Sequence, residues 1–312
     1  MVSENLIKWL LKGDVSIQYQ VHRDFLGSEK NQLRERISKE GWGADFLACR
    51  NRDGHWGRKF YQPKWTSTHY TLLDLKNLGI VPDIKAIQQT LKMVLEQEKG
   101  DDGGINPSTT ITVSDVCLNG MVLNYAAYFG AEEKLLESIV NFILSQQMQD
   151  GGFNCNFNRK GAVHSSLHST LSVIEGIAEY TKGGYEYRLG ELQSVEEDSQ
   201  EFLLQHRLFR SDRSGKIIDP KMLMLLYPSR WRYDILRSLD YFRIAKVKYD
   251  PRMEEAIAIL LQKRKQDGTW PLQARHAGAA HFEMEKVGES SRWNTLRALR
   301  VLKHFDLENL DE

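Results

Sequence analysis

The chain has 312 residues, more than the roughly 100–200 typical of one domain, and 41% of them are hydrophobic, so a large core is available. Lys+Arg and Asp+Glu both number 42 and the formal net charge is zero, which removes the overall field that would draw in nucleic acid or an anionic membrane. No stretch approaches the roughly 18–20 apolar residues of a membrane span, and the start "MVSENLIKWLLKGD", with its early Glu4, does not read as a signal peptide.

Helices are expected first over 3–27. Then, four times, an apolar helical segment runs into an acidic Gly turn: "FLACRNRDGHWG" around Asp53, "LEQEKGDDGGI" around Asp102, "LSQQMQDGGF" around Asp150 and "LLQKRKQDGTW" around Asp267. The first three turns are 48 or 49 residues apart, and the gap of 117 before the fourth has room for two units, with "RSDRSGKII" around Gly215 as a degenerate copy. Asp-Gly suits a tight turn because Gly accepts positive φ and Asp can bond its own backbone. After each turn come a loop and a second apolar helix, expected over Thr66 to Leu78, Asp115 to Phe129, His164 to Tyr180, Trp231 to Phe242 and Arg292 to Phe305. The units run roughly 30–80, 81–130, 131–181, 195–245 and 250–305, all within a single domain over 1–312.

The second helix of each unit is apolar nearly all round, as in "VCLNGMVLNYAAYF", whereas the first carries a charged face, as in "RMEEAIAILLQKRK". A helix apolar all round is buried and one with a polar stripe faces water. With little period-2 patterning, the fold is all-α. The expected architecture is an α/α toroid of about five to six helical hairpins, with inner and outer rings around a central cavity at the end where the loops and inner-helix starts converge. An open superhelical solenoid is the alternative.

"QMQDGGF" and "QDGTW", each followed by a loop and a buried helix, resemble the repeats of the squalene cyclase and protein prenyltransferase β-subunit superfamily, over about Phe46 to Phe305. In that superfamily the prenyltransferase β subunits work with an α subunit. They hold a catalytic zinc through an Asp-x-Cys pair at one inner-helix start and a His at the next. The resemblance therefore implies zinc bound by Asp115 and Cys117 of "SDVC" and by His164 of "GAVHSSLHS". Inside a regular helix positions i and i+2 point about 200° apart, so Asp115 can share a metal with Cys117 only from the helix entry. Three protein ligands and an open position would suit activation of a thiol or water. The chain departs from the family where the diphosphate is gripped. The loop "NPSTTITV" has no positive charge and Leu118 stands where the family has Tyr. The cyclase acid motif Asp-x-Asp-Asp is also absent.

Other readings stand beside this one. Asp115 can simply favour the helix dipole, with Cys117 as a small buried side chain. His164 and His168, four apart, can join Cys155 in a different cluster, or His168 can be a hydrogen-bonded wall residue. The remaining inner-helix starts offer Trp65 and His69 in "PKWTSTHY", Arg230, Trp231, Arg232, Tyr233 and Asp234 in "PSRWRYD", and Arg292, Trp293 and Asn294 in "SSRWN". Read functionally, these arginines grip a phosphate or carboxylate while the tryptophans wall the cavity. Read structurally, Ser caps, Trp packs under the loop and Arg pairs with an acidic turn. The loop 276–290, with His276, His281 and Glu283, is a candidate lid, and the acidic run at 194–202 is a solvated helix start. Cys49, Cys117 and Cys155 are an odd number in a long chain, which fits a reducing, cytoplasmic compartment.

The expected function is a prenyltransferase- or terpene-cyclase-like enzyme acting on an isoprenoid-like or apolar anionic small molecule in the cavity, with zinc as cofactor. The alternative is a non-catalytic toroid that binds a small apolar or carbohydrate ligand or serves as a scaffold.

Overall fold

The computed structural model describes residues 2–108 and 110–307, so the two ends of the domain expected over 1–312 lie outside the described residues. The acidic Gly turns organise the hairpins. Gly54, Gly103, Gly151 and Gly268 all have φ between 80° and 92°, a conformation that costs glycine little. At two of the turns the Asp also clamps the approach to the next helix, while Asp53 and Asp267 bond within their own turns. Asp102 accepts the Ser114 N–H and hydroxyl, both at 2.7 Å, and Asp150 accepts the Ser165 N–H at 2.8 Å. Just after each Gly, a backbone N–H donates to a side chain on the second helix: Trp56 to Thr68 (3.0 Å), Ile105 to Asn119 (2.7 Å), Phe153 to Thr170 (2.9 Å) and Trp270 to Thr295 (2.9 Å). Each turn is thereby tied to the first turns of its second helix. The copy around Gly215 is instead a short hairpin in which Arg210 bridges Ile217.

Six helical hairpins result among the described residues. They are α1 (Glu4–Leu11) with α2 (Val15–Phe25), then, after the short α3 (Asn31–Arg36), α4 (Gly41–Ala48) with α5 (Thr68–Leu78), and α6 (Lys85–Gln97) with α7 (Val116–Tyr128). Next come α8 (Glu133–Ser145), the single turn α9 (Phe157–Lys160) and α10 (Leu167–Lys182), then α11 (Leu189–Gln205) with α12 (Ile235–Ile244), and α13 (Glu254–Gln262) with α14 (Arg292–His304). A two-residue ladder pairs Trp270–Pro271 with Ser290–Ser291 at the foot of α14.

The second helix of each pair is buried on nearly every side: in α7, for example, every residue from Leu118 to Ala127 is buried. Its outer partners bury one stripe, as α6 does with Ile87, Leu91, Val94 and Leu95. Inner helices pack in sequence, α5 on α7, α7 on α10, α10 on α12, α12 on α14 and α14 on α2. Gln20 of α2 then donates to the Asn77 and Leu78 carbonyls at the end of α5 and closes the circle. The chain is an α/α toroid, and closure rules out the open solenoid. The tightest contact in the ring is glycine against glycine: a Cβ on Gly176 would lie 2.3 Å from the Gly120 carbonyl oxygen, so α7 and α10 touch backbone to backbone.

Two inner helices start later than the sequence suggests. The third, α10, begins at Leu167, which leaves His164 in the preceding loop, and α12 begins at Ile235 because Asp234 caps it by accepting the Arg237 N–H at 2.8 Å. His164 and His168 therefore do not share a helical face, and Trp231 to Tyr233 belong to a lead-in loop.

Candidate functional site

The lead-in loops of α5 and α12 meet the 276–290 loop over the inner-helix starts. Lys64, Trp65 and Thr66 form a 3-10 turn just before α5. Trp65 donates its indole N–H to the Ala277 carbonyl at 2.5 Å and stacks on His276 with ring centres 4.2 Å apart and planes 33° from parallel. His276 bonds the Ser229 carbonyl through Nε2 at 3.1 Å and lies 6.3 Å from Trp231. Lys64 holds its ammonium 4.8 Å from the Trp65 ring and 5.3 Å from the Trp231 ring, a cation–π bridge between the two walls. His168, from α10, completes the wall 5.2 Å from Trp231 and accepts the Tyr233 N–H on Nδ1 at 2.8 Å. Burial holds His168 and His276 down to about 4, so both rings are neutral near neutral pH.

The two arginines of this loop have different fates. Arg230 is buried at φ 53°, paired with the equally buried Asp74 at 3.2 Å, and stacked against Trp65 and Tyr70. It holds the mouth together. Arg232 is half-buried, makes no side-chain hydrogen bond or ion pair among the described residues, and acts electrostatically on both His168 and His276. Lys64 likewise has no carboxylate within ion-pair distance among the described residues; burial lowers its pKa, while Cys117 and Asp115 act in the opposite sense. The inner-helix starts thus offer Arg232, and Lys64 held only between two indole rings, beside the rings of Trp65, Trp231, His168 and His276.

Of the residues implied as zinc ligands, Asp115 and Cys117 lie within electrostatic reach of Lys64. Asp115 is the N-cap residue of α7, but its carboxylate makes no capping bond and pairs with Arg159 at 2.9 Å. Burial raises its pKa, against the pull of Arg159 and Lys64. Cys117 contacts Cys155, with the Cys117 N–H 3.3 Å from the Cys155 sulfur. His164 is exposed and faces Arg213, 2.7 Å from Nε2. The three do not converge, and among the described residues no three His, Cys, Asp or Glu side chains gather around a point that could hold a metal. A tetrahedral site needs its ligands at about 2.0–2.3 Å from one centre, so this placement does not fit zinc. No chemical step is routed through it.

The other candidate residues serve the packing. His69 is fully buried, held to about 3 by burial, with Tyr125 as its neighbour at 3.4 Å. Tyr233 donates its hydroxyl to the Leu208 carbonyl at 2.5 Å, and Asp234 is the cap of α12. Arg292 packs over Trp9, 4.5 Å from the ring, and donates to the Trp9 carbonyl at 3.2 Å. Trp293 stacks between Tyr227 (4.8 Å) and Trp42 (6.1 Å). Neither residue reaches the mouth cluster.

The 276–290 loop does cover the inner-helix starts. His281 bonds the Thr71 hydroxyl at 3.0 Å and Phe282 packs on Phe46 at 4.6 Å, while Glu283 pairs outward with Arg275 at 2.6 Å. Sequence reasoning misses Lys64, and also Tyr61, whose hydroxyl lies 3.1 Å from that of Tyr70. A signal for Lys64 is present: each of the three tryptophans at inner-helix starts follows a basic residue, as Lys64-Trp65, Arg230-Trp231 and Arg292-Trp293. A pocket of about 680 Å³ on the outer face, between α11 and α13, is lined by Arg210 and Arg252, both already paired with carboxylates, and lies apart from the mouth.

No protein-family model and no curated protein matches the sequence. Solved structures do resemble it in shape. A glycosyl hydrolase of family 88 from Bacteroides vulgatus is 11% identical, with 93% of this chain and 89% of that one covered and a TM-score of 0.53. A polysaccharide lyase is 12% identical, with 99% and 97% covered and a TM-score of 0.53. The type II terpene cyclase MstE from Scytonema is 12% identical, with 83% and 94% covered and a TM-score of 0.35. The likeness to the hydrolase and the lyase is one of fold. No helix among the described residues is long and apolar enough to cross a membrane.

Proposed function

We propose that the chain binds a small molecule at the mouth of the toroid, one that joins an anionic group to a flat or apolar body. The supporting observation is the Lys64–Trp65–Trp231–His276 cluster with Arg232 beside it. Cations without carboxylate partners favour a phosphate or carboxylate, and stacked rings favour a flat face, whether a sugar ring or an unsaturated chain. Asp115, paired with Arg159, adds a carboxylate that acts electrostatically on Lys64. Two ligand sources share this chemistry. The repeat resemblance favours an isoprenoid, its anionic group held by Lys64 and Arg232 in place of the family's missing grip, and the two toroids of similar shape, named for saccharide chemistry, favour a saccharide, the cations selecting one with an acidic group.

A ligand that binds only the native state raises its melting temperature. Thermal shift is therefore to be measured with geranylgeranyl diphosphate, a galacturonate oligomer and inorganic pyrophosphate, on wild type and on Lys64→Ala, Arg232→Ala and Trp231→Ala. Stabilisation by one of the first two, weakened in all three variants, is the expected result and names the source. Stabilisation by pyrophosphate alone would remove the apolar half of the reading. No shift with any of them would overturn it.

A further inference from the structure

The cysteines separate in the fold. Cys49 ends α4, while Cys117 and Cys155, 38 residues apart in sequence, meet beneath the mouth. The Cys117 N–H lies 3.3 Å from the Cys155 sulfur, and the Ser169 hydroxyl donates to the same sulfur at 3.4 Å. Both residues are partly accessible. Their two segments are clamped on either side. Asn158 donates to the Ser114 carbonyl at 3.1 Å, Arg159 donates to the Val113 carbonyl at 2.9 Å, and Arg159 pairs with Asp115. A sulfur this close to its partner's main chain reaches the partner's sulfur by side-chain rotation, with little movement of the backbone.

We propose that Cys117 and Cys155 form a reversible disulfide that locks the Asp115 side of the mouth. Hydrogen peroxide is a sufficient oxidant. One sulfur attacks a peroxide oxygen, the O–O bond breaks, and the displaced hydroxide takes up that thiol's proton and leaves as water, with a sulfenic acid on the cysteine. The second sulfur attacks the first, the S–O bond breaks, and the hydroxyl leaves as a second water with the second thiol proton. Two electrons pass from sulfur to peroxide, and the sum is two thiols and one peroxide giving one disulfide and two waters. A dithiol reductant reverses it. The proposal does not depend on the identity of the ligand.

The full chain is to be treated with hydrogen peroxide, denatured, alkylated and digested. The expected result is loss of two of the three alkylatable thiols, a mass lower by two hydrogen atoms, and a peptide joining residues 117 and 155. Dithiothreitol should restore all three thiols. Cys49→Ser should leave the cross-link intact, and Cys117→Ser and Cys155→Ser should each abolish it. As a check that does not depend on these variants folding, oxidised wild type should melt a few degrees above the reduced protein, since a cross-link restricts the unfolded chain. Three free thiols after peroxide, a cross-link through Cys49, or oxidation of Cys155 beyond the sulfenic acid with Cys117 still free would each overturn the proposal.

Discussion

Ser229-Arg230-Trp231 and Ser291-Arg292-Trp293 are the same three residues at two inner-helix entries, and the toroid uses them differently. Ser291 caps α14 by accepting the Asn294 N–H at 2.9 Å, so the helix begins at once. Arg292 and Trp293 are carried onto the first hairpin and into the stack with Tyr227 and Trp42. At the other copy the chain turns left-handed at Arg230, and the cap is deferred to Asp234. Those few extra residues of loop place Trp231 and Arg232 over the mouth. The repeat sets the address of a residue, and the position of the helix cap sets what it faces.

Acid should separate the two regions most strongly. His168 and His276 wall the mouth, and His69 lies beneath it. All three are held below the ordinary histidine range, at about 4, about 4 and about 3. They are neutral in the fold, while the unfolded chain protonates them below about pH 6.5, so the unfolded state binds more protons as pH falls. The stability they contribute is complete above about pH 6.5 and is lost as pH drops toward 4. The limiting slope is about 1.4 kcal/mol per pH unit for each group. Denaturant melts across this range should show the loss, and His276→Asn should flatten it. A profile unchanged in His276→Asn would show that the ring is not held neutral by the mouth.

Removing the paired tryptophans comes next. Trp293→Ala empties a fully packed site and should cost about 3–5 kcal/mol in chemical denaturation. Trp231 is half-buried at the mouth, so Trp231→Ala should cost clearly less while removing ligand stabilisation. Equal losses in the two would erase the distinction between the two helix entries. A wedge at the inner-ring seam falls in the middle range: Gly120→Ala forces α7 from α10 and should cost about 1–3 kcal/mol. The smallest effect belongs to the cap. Ser291→Ala loses the capping bond to the first turn of α14, about 1 kcal/mol, together with the hydroxyl's bond to Glu285 of the 276–290 loop.

The fold was legible because it is written four times. Gly at positive φ and the N–H two residues after it recur at all four turns, and "QDGG" or "QDGT" shows them directly, while the Thr or Asn that receives this N–H lies 12 to 25 residues further on. The site was legible only in part. Trp65 and Trp231 stood out at repeat positions, but their shared partner His276 comes from a loop 212 residues beyond Trp65 by the Trp65–Ala277 bond, a contact no local pattern reports. His164 illustrates the opposite case. Its offset in the repeat matched the expected ligand position, yet α10 starts three residues later and leaves it in solvent beside Arg213. Arg230 was open to two readings, gripping an anion or pairing with an acidic turn; its partner is Asp74, in the middle of α5 rather than in a turn.

The most direct test is a tryptophan-fluorescence titration of wild type and of the Lys64→Ala, Arg232→Ala double variant with geranylgeranyl diphosphate and with a galacturonate oligomer. Saturable quenching by one of these ligands, with affinity at least about tenfold weaker in a double variant that melts like wild type, is the predicted result, since loss of two charged contacts costs more than about 1.4 kcal/mol. Equal affinity in the two proteins, or no response of wild type to either ligand, would contradict an anion-binding mouth.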